Sequence, residues 1–135
     1  MTQNRPQWLK DHPGDLIFKL YENHNCVGQV WYRPTDMGYE IDFFEVEMNF
    51  RGQGLGIKLM NQFLDFILKK ANITSLHKRI DPDDSLRTSV EVWLEVSEQN
   101  VPAIKTYERS GFKAVGRRPK YYPDGSDAIL MSWIG

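Results

Sequence analysis

At residues 51–56 the chain reads Arg-Gly-Gln-Gly-Leu-Gly, and the hydrophobic pattern differs on its two sides. Before it, residues 39–48 (Tyr-Glu-Ile-Asp-Phe-Phe-Glu-Val-Glu-Met) read as a strand. After it, Leu55, Leu59, Met60, Phe63, Leu64 and Ile67 recur at helical spacing, with Lys58, Asn61, Gln62, Asp65 and Lys69 on the wetter side, which predicts an amphipathic helix to about Asn72. A glycine-rich strand-to-helix turn is therefore expected. The first N–H groups of a helix lack intrahelical partners and carry about half a positive charge, so such a turn suits a phosphate. Glycines remove the side chains that would keep a diphosphate away, and Arg51 adds a charge. The run is not a Walker A loop, because Ile57 stands where that pattern needs glycine and no Gly-Lys-Ser/Thr occurs. It is not the dinucleotide fingerprint either, because Gly52-x-Gly54 is followed by Gly56 and no repeated βαβ scaffold surrounds it. A ligand-free turn is the alternative reading.

The rest of the chain bounds the architecture. Its 135 residues, 41% of them apolar, fit one domain over 1–135 with one core. Lys and Arg number 17 against 18 Asp and Glu, so no overall field favours nucleic acid or an anionic membrane, and neither partner is expected. No 18-residue apolar run occurs and the first fifteen residues are polar, so a soluble cytoplasmic protein without signal peptide is expected. Cys26 stands alone, and His12, His24 and His77 lack metal-ligand spacing, so no disulfide framework and no metal are expected.

Residues 16–21 and 26–32 read as strands around the turn 22–25, and should form a hairpin. Residues 75–89, with Asp81-Pro82-Asp83-Asp84, read as a long solvated loop. Val90, Val92, Leu94 and Val96 alternate with Glu91, Trp93 and Glu95 as in a strand with two differently used faces. A short helix follows, with Asn100 as N-cap, Pro102 in its first turn and Gly111 as its stop. Residues 112–117 and 128–133 close the chain as strands around Tyr121-Tyr122-Pro123. The order β-β-β-α-β-α-β-β is α+β, and the strands flanking the first helix are able to run parallel.

Three ordered blocks carry a resemblance. Arg51-x-x-Gly54-x-Gly56 between strand and helix resembles the pyrophosphate signature of the GNAT acetyltransferases. Residues 93–112 are similar to that superfamily's second cofactor segment, above all Asn100-x-x-Ala103-Ile104, Tyr107 and Gly111-Phe112. Residues 116–131 are similar to the ending of the ribosomal-protein alanine N-acetyltransferases, the RimI-like branch. Together they cover about residues 39–131. The resemblance implies the GNAT fold, a mixed central sheet splayed at the cofactor site, here with a shortened N-terminal region before Leu16. It also implies acetyl-CoA as cosubstrate and a primary amine as acceptor, foremost a protein N-terminus. A polyamine or aminoglycoside acceptor, or a non-catalytic CoA-binding module, are the alternatives.

Residue roles follow from the same likeness. Arg51, Gly52, Gln53, Gly54, Leu55 and Gly56 would hold the diphosphate. Backbone groups of Phe44, Glu45 and Val46, left unpaired by the splay, would meet the pantetheine amides, and Asn100 would both cap its helix and reach the same arm. Glu95 matches the general base of the RimI-like branch, with burial expected to suit it to that work and with a structural ion pair to an arginine as its alternative. Asp42 is the runner-up, ahead of Glu47. Tyr107 matches the residue that protonates the departing thiolate, and is otherwise a core aromatic. Tyr121, Tyr122 and Pro123 are candidates for acceptor contact, against the plainer reading of a Pro-stiffened hairpin loop.

Overall fold

Asn23 and His24 both adopt positive φ, 49° and 69°, the backbone of a two-residue hairpin turn that matches the twist of its flanking strands. They join β1 (Leu16–Glu22) to β2 (Asn25–Pro34) in the computed structural model, which describes residues 16–78 and 89–135. The expectations for residues 1–15 and for residues 79–88 of the long loop lie outside the described residues, as do His12 and the side chain of His77. The remaining elements are β3 (Gly38–Val46), α1 (Leu55–Lys78), β4 (Glu91–Ser97), α2 (Val101–Arg109), β5 (Lys113–Arg118) and β6 (Ala128–Ile134). They form one mixed six-stranded sheet of order β1-β2-β3-β4-β6-β5, in which only β3 and β4 pair in parallel. That is the α+β order expected.

The core lies where α1 covers the sheet. Leu59, Met60, Phe63, Leu64 and Ile67 are all buried, against Val27, Val30, Tyr32, Ile41, Val92, Leu94 and Val96 from the strands, while Lys58, Asn61, Gln62, Asp65 and Lys69 remain exposed. Gly28 permits the close approach: a Cβ there would sit 2.9 Å from Leu59 Cδ2 and 3.0 Å from the Glu45 carbonyl. Phe63 is wholly buried and packs edge-on to Tyr32 and Phe18, with ring centroids 5.0 and 5.7 Å away. Phe63→Ala is expected to cost about 3–5 kcal/mol of stability through lost burial and a residual cavity, read by denaturant unfolding monitored by circular dichroism. A loss under about 1 kcal/mol would mean that this face of α1 is not the core.

Most boundaries lie within a residue or two of the sequence reading, and two of the differences bear on the site and the loop. β3 ends at Val46 instead of Met48: the Glu47 N–H turns to the Val27 carbonyl at 2.8 Å, and Met48–Phe50 forms a 3-10 turn leading into the glycine loop. α1 continues past Asn72 to Lys78, so the first residues of the expected loop are helical. No glycine or proline stands between Asn72 and Pro82, so nothing local stops the helix earlier. The second helix has both of its expected ends. The Asn100 side chain accepts from the Ala103 N–H at 3.3 Å, Gly111 takes φ 102°, and the Phe112 N–H returns to the Tyr107 carbonyl at 3.0 Å.

Candidate active site

β3 and β4 separate part-way along. Their parallel pairing runs from Gly38↔Glu91 to Ile41↔Leu94 and stops, while β3 stays paired to β2 through Val46 and β4 stays paired to β6 through Ser97. The cause is visible on β3. Trp31 opposes Phe43 and Tyr32 opposes Ile41, so Asp42 is an extra residue with no partner on β2. Such a bulge bends its strand and sharpens the twist, and this one sits at the last residue pair before the strands part. A wedge opens with two unmatched strand edges as its walls, one of them carrying Phe44, Glu45 and Val46.

The glycine loop forms one end of the wedge. Gly52 and Gly54 hold φ values of 79° and 75°, and a Cβ on either would meet nothing within 4 Å, so the loop offers bare backbone to an approaching group. The first turn of α1, with Leu55 and Gly56, contains no acidic residue to compete for an anion. The Arg51 Nε donates to the Val46 carbonyl at 2.9 Å, which fastens the arginine across the loop and gives that strand-edge carbonyl a partner. Burial, and then repulsion from Glu47, hold the Glu45 carboxyl above the ordinary carboxylate range, with Arg51 pulling it down. Gln53 is exposed beside these groups. A Cβ on Gly56 would lie 3.4 Å from Thr106 Cγ2 of α2, so the second helix packs close to the start of the first. A shallow cavity of about 610 Å³ along the outer side of α1 reaches this loop only at Gly54. The wedge between the strands is the better site, because two strand edges, the loop and Tyr107 converge there.

Polar groups gather on the β4 side. Tyr107 of α2 is buried, packed edge-on against Phe44 at 5.4 Å and beside Phe112 at 6.1 Å, and its hydroxyl has no hydrogen-bond partner among the described residues. Burial, and secondarily Tyr122, push its pKa well above that of an ordinary phenol. Glu95 projects from the face of β4 opposite the core and pairs with Arg118, Nε to Oε1 at 3.0 Å. Tyr121 hydrogen-bonds to Glu95, and the carboxylate, burial and that bond together raise its pKa. Burial, and then the charge of Glu95 and the neighbouring Tyr121, raise the pKa of Tyr122, which in turn acts electrostatically on Tyr107. Asp42, the other carboxylate considered, is nearly buried and accepts from Arg33 Nε at 2.9 Å, and Glu40 pairs with the same guanidinium. Asn100 is exposed, and its side-chain oxygen is used by its own helix. Pro123 lies exposed in the loop beyond Tyr122.

Residues 13–114 match the family described as Acetyltransferase (GNAT) domain. The chain belongs to the GNAT acetyltransferase family. This GNAT chain is 32% identical to the N-alpha-acetyltransferase RimI of Mycobacterium tuberculosis over 100 residues, which are 73% of this chain and 51% of that protein. It is 33% identical over 90 residues to the [ribosomal protein bS18]-alanine N-acetyltransferase of Escherichia coli K12, covering 64% and 49% of the two. The crystal structure of the Escherichia coli ribosomal-protein-S18-alanine N-acetyltransferase superposes with a TM-score of 0.70 at 27% identity, over 90% of this chain and 69% of that one. The chain spans about a fifth to a half of the length of the curated relatives it matches.

The ion pair with an arginine that was the alternative reading of Glu95 is present, with Arg118 as the partner, while Arg33 beside Asp42 was not anticipated. Arg33 and Arg118 each engage a carboxylate that the sequence reading weighed as a base. Arg118 opposes Ala128 of β6, which in turn opposes Ser97 of β4, so it reaches Glu95 across an intervening strand. No local periodicity signals that neighbour, although an arginine beside the Tyr-Tyr pair was there to be weighed. Among the described residues no group of three or more His, Cys, Asp or Glu is placed to hold a metal, and no helix is long and apolar enough to cross a membrane.

Proposed function

We propose that this GNAT chain transfers acetyl from acetyl-CoA to a primary amine, and that the amine is a protein N-terminus. The observation that carries the reading is the wedge itself, with bare glycine backbone at one end and the Glu95, Tyr121, Tyr122 and Tyr107 cluster at the other. Acetyl-CoA supplies a thioester whose carbonyl carbon accepts the amine. The residues present fit it: Gly52, Gly54 and the first amides of α1 receive the diphosphate, with Arg51 beside them and Gln53, Leu55 and Gly56 completing the turn. The open edge at Phe44 and Glu45 pairs with the amides of the pantetheine arm, and the Asn100 amide nitrogen is left to reach the same arm while its oxygen caps α2.

Glu95 takes a proton from the acceptor ammonium, directly or through water, leaving the nitrogen lone pair free to attack. The Tyr107 hydroxyl gives a proton to the departing sulfur, and the phenolate so formed recovers one from the acylated nitrogen as the amide forms. Burial keeps that phenol protonated across the whole working pH range, so the donor is always loaded. Tyr122, electrostatically coupled to both, orients the acceptor between them, and Tyr121 with Pro123 forms the outer wall.

Charge favours an acceptor with one positive group. Glu40 and Asp42 both engage Arg33, and Glu95 engages Arg118, so arginines already accompany these carboxylates, which favours an acceptor of low charge over a polyamine. The two curated relatives, named as an N-alpha-acetyltransferase and a ribosomal protein bS18-alanine N-acetyltransferase, support the same choice. The test is release of free CoA thiol from acetyl-CoA with peptides beginning Ala, Ser or Met and, in parallel, spermidine. Turnover is expected with at least one peptide and not with spermidine. The reverse pattern makes it a small-amine enzyme, and tight acetyl-CoA binding with no thiol release to any amine makes it a non-catalytic module.

A further inference from the structure

The loop that presents Tyr121 and Tyr122, between β5 and β6, is fastened to the end of β4 at more than one point, and Asp127 makes the tie that also reaches back to Lys120. The Asp127 carboxylate accepts from the Lys120 N–H at 2.9 Å and from Arg117 Nη1 at 2.7 Å. Its own backbone is held at both ends by Glu98, the residue following β4: the Asp127 N–H donates to Glu98 Oε2, and the Glu98 N–H donates to the Asp127 carbonyl at 3.0 Å. Lys120 adopts φ 51°, left-handed backbone that a lysine rarely occupies, and the hydrogen bond to Asp127 is made by that residue's own amide. The kink comes immediately before Tyr121. Beyond the tyrosines the loop is tied again, since buried Ser126 bonds Ser97 of β4 at 3.0 Å and Asp124 within the loop, and the Tyr122 N–H donates to the Ser126 carbonyl at 3.2 Å.

We propose that Asp127 is a positioning residue for acceptor recognition: by holding the left-handed kink at Lys120 against Glu98 and Arg117, it sets Tyr121 and Tyr122 beside Glu95. The inference rests on the reading of the tyrosine cluster as the acceptor site, and it assigns that site's geometry to a residue that touches neither cosubstrate. None of the hydrogen bonds that Asp127 makes goes to the glycine loop, so cofactor affinity is expected to be retained when it is replaced.

The experiment uses the full chain with Asp127→Ala and Asp127→Asn, the latter keeping an acceptor for the Lys120 N–H while losing the ion pair with Arg117. For Asp127→Ala, KM for the acceptor peptide is expected to rise about ten- to a hundredfold, the scale on which small misplacements of a substrate contact act, with calorimetric acetyl-CoA affinity unchanged. Asp127→Asn is expected to fall between parent and alanine variant, and carries the test alone if the alanine variant does not fold by circular dichroism. A second readout does not depend on activity. Ultraviolet titration against a Tyr121→Phe control isolates the Tyr121 phenol, whose ionisation is held up foremost by Glu95, with Arg118 and Glu40 also acting on it. In the Asp127 variants that phenol should titrate closer to an ordinary tyrosine. An unchanged acceptor KM together with an unchanged Tyr121 titration overturns the proposal. If the parent acetylates no peptide, the acceptor reading fails instead, and the tyrosine titration still decides whether Asp127 places the loop.

Discussion

Gly54→Asp is expected to eliminate measurable acetyl-CoA binding while the protein remains folded. The site has room for the side chain, since a Cβ at Gly54 meets nothing within 4 Å, so the fold itself is not obstructed. The φ of 75° disfavours most L side chains by about 1–2 kcal/mol, but aspartate tolerates that region better than others. The dominant effect is therefore on the ligand. A carboxylate at about 4 Å from a diphosphate charge costs roughly 1 kcal/mol in bulk water and about 4 kcal/mol at the effective dielectric of a protein surface, and it also fills the space the phosphates need. Gly54→Asn separates the contributions, because it brings similar bulk and backbone tolerance without the charge, and should bind more tightly than the aspartate variant. Calorimetric titration of each folded variant with acetyl-CoA measures both. Parental affinity in Gly54→Asp would remove the glycine loop from the cofactor site.

Glu95→Gln should slow turnover by about two orders of magnitude or more, the usual scale for losing a positioned base, with acetyl-CoA affinity retained. The amide keeps the shape of the carboxylate and cannot take the proton. An α-amine ordinarily ionises near pH 8, so without a base the reaction depends on the small fraction already neutral at pH 7. The deficit of the variant should accordingly be largest near neutrality and narrow as pH rises past the ionisation of the amine. Tyr107→Phe is the companion: loss of one hydroxyl from a buried ring should leave cofactor affinity near the parent's and slow thiol release. The rival base is Asp42, already committed to Arg33 at the strand bulge. Should Glu95→Gln turn over at the parental rate while Asp42→Asn does not, the proton is taken on β3 and the assignment of roles is reversed.

Much of this chain is legible residue by residue. The Asn23-His24 turn, the buried stripe from Leu59 to Ile67, the Asn100 cap and the Gly111 stop depend on groups a few positions apart, and each lies where the pattern puts it. The glycine loop is legible for the same reason: its position between a strand and a helix is a local fact, and the helix N-terminus that makes it useful is created by the residues that follow it. Alternation along residues 90–96 also separated the core face of β4, with Val92, Leu94 and Val96, from the face that carries Glu95.

What makes a site of these pieces is long-range pairing. The bulge at Asp42 arises from register against β2, the wedge from where β3 stops following β4, and the Arg118 partner of Glu95 from a strand order that sets β6 between β4 and β5. The same holds for Tyr122, whose electrostatic coupling to Tyr107 depends on a loop that Glu98 and Ser97 anchor to the end of β4. Periodicity tells a residue which face of its strand it occupies. It says nothing of which residue from another strand will stand beside it, because that choice is made by the free energy of the whole sheet and core, shared among contacts distant in the chain.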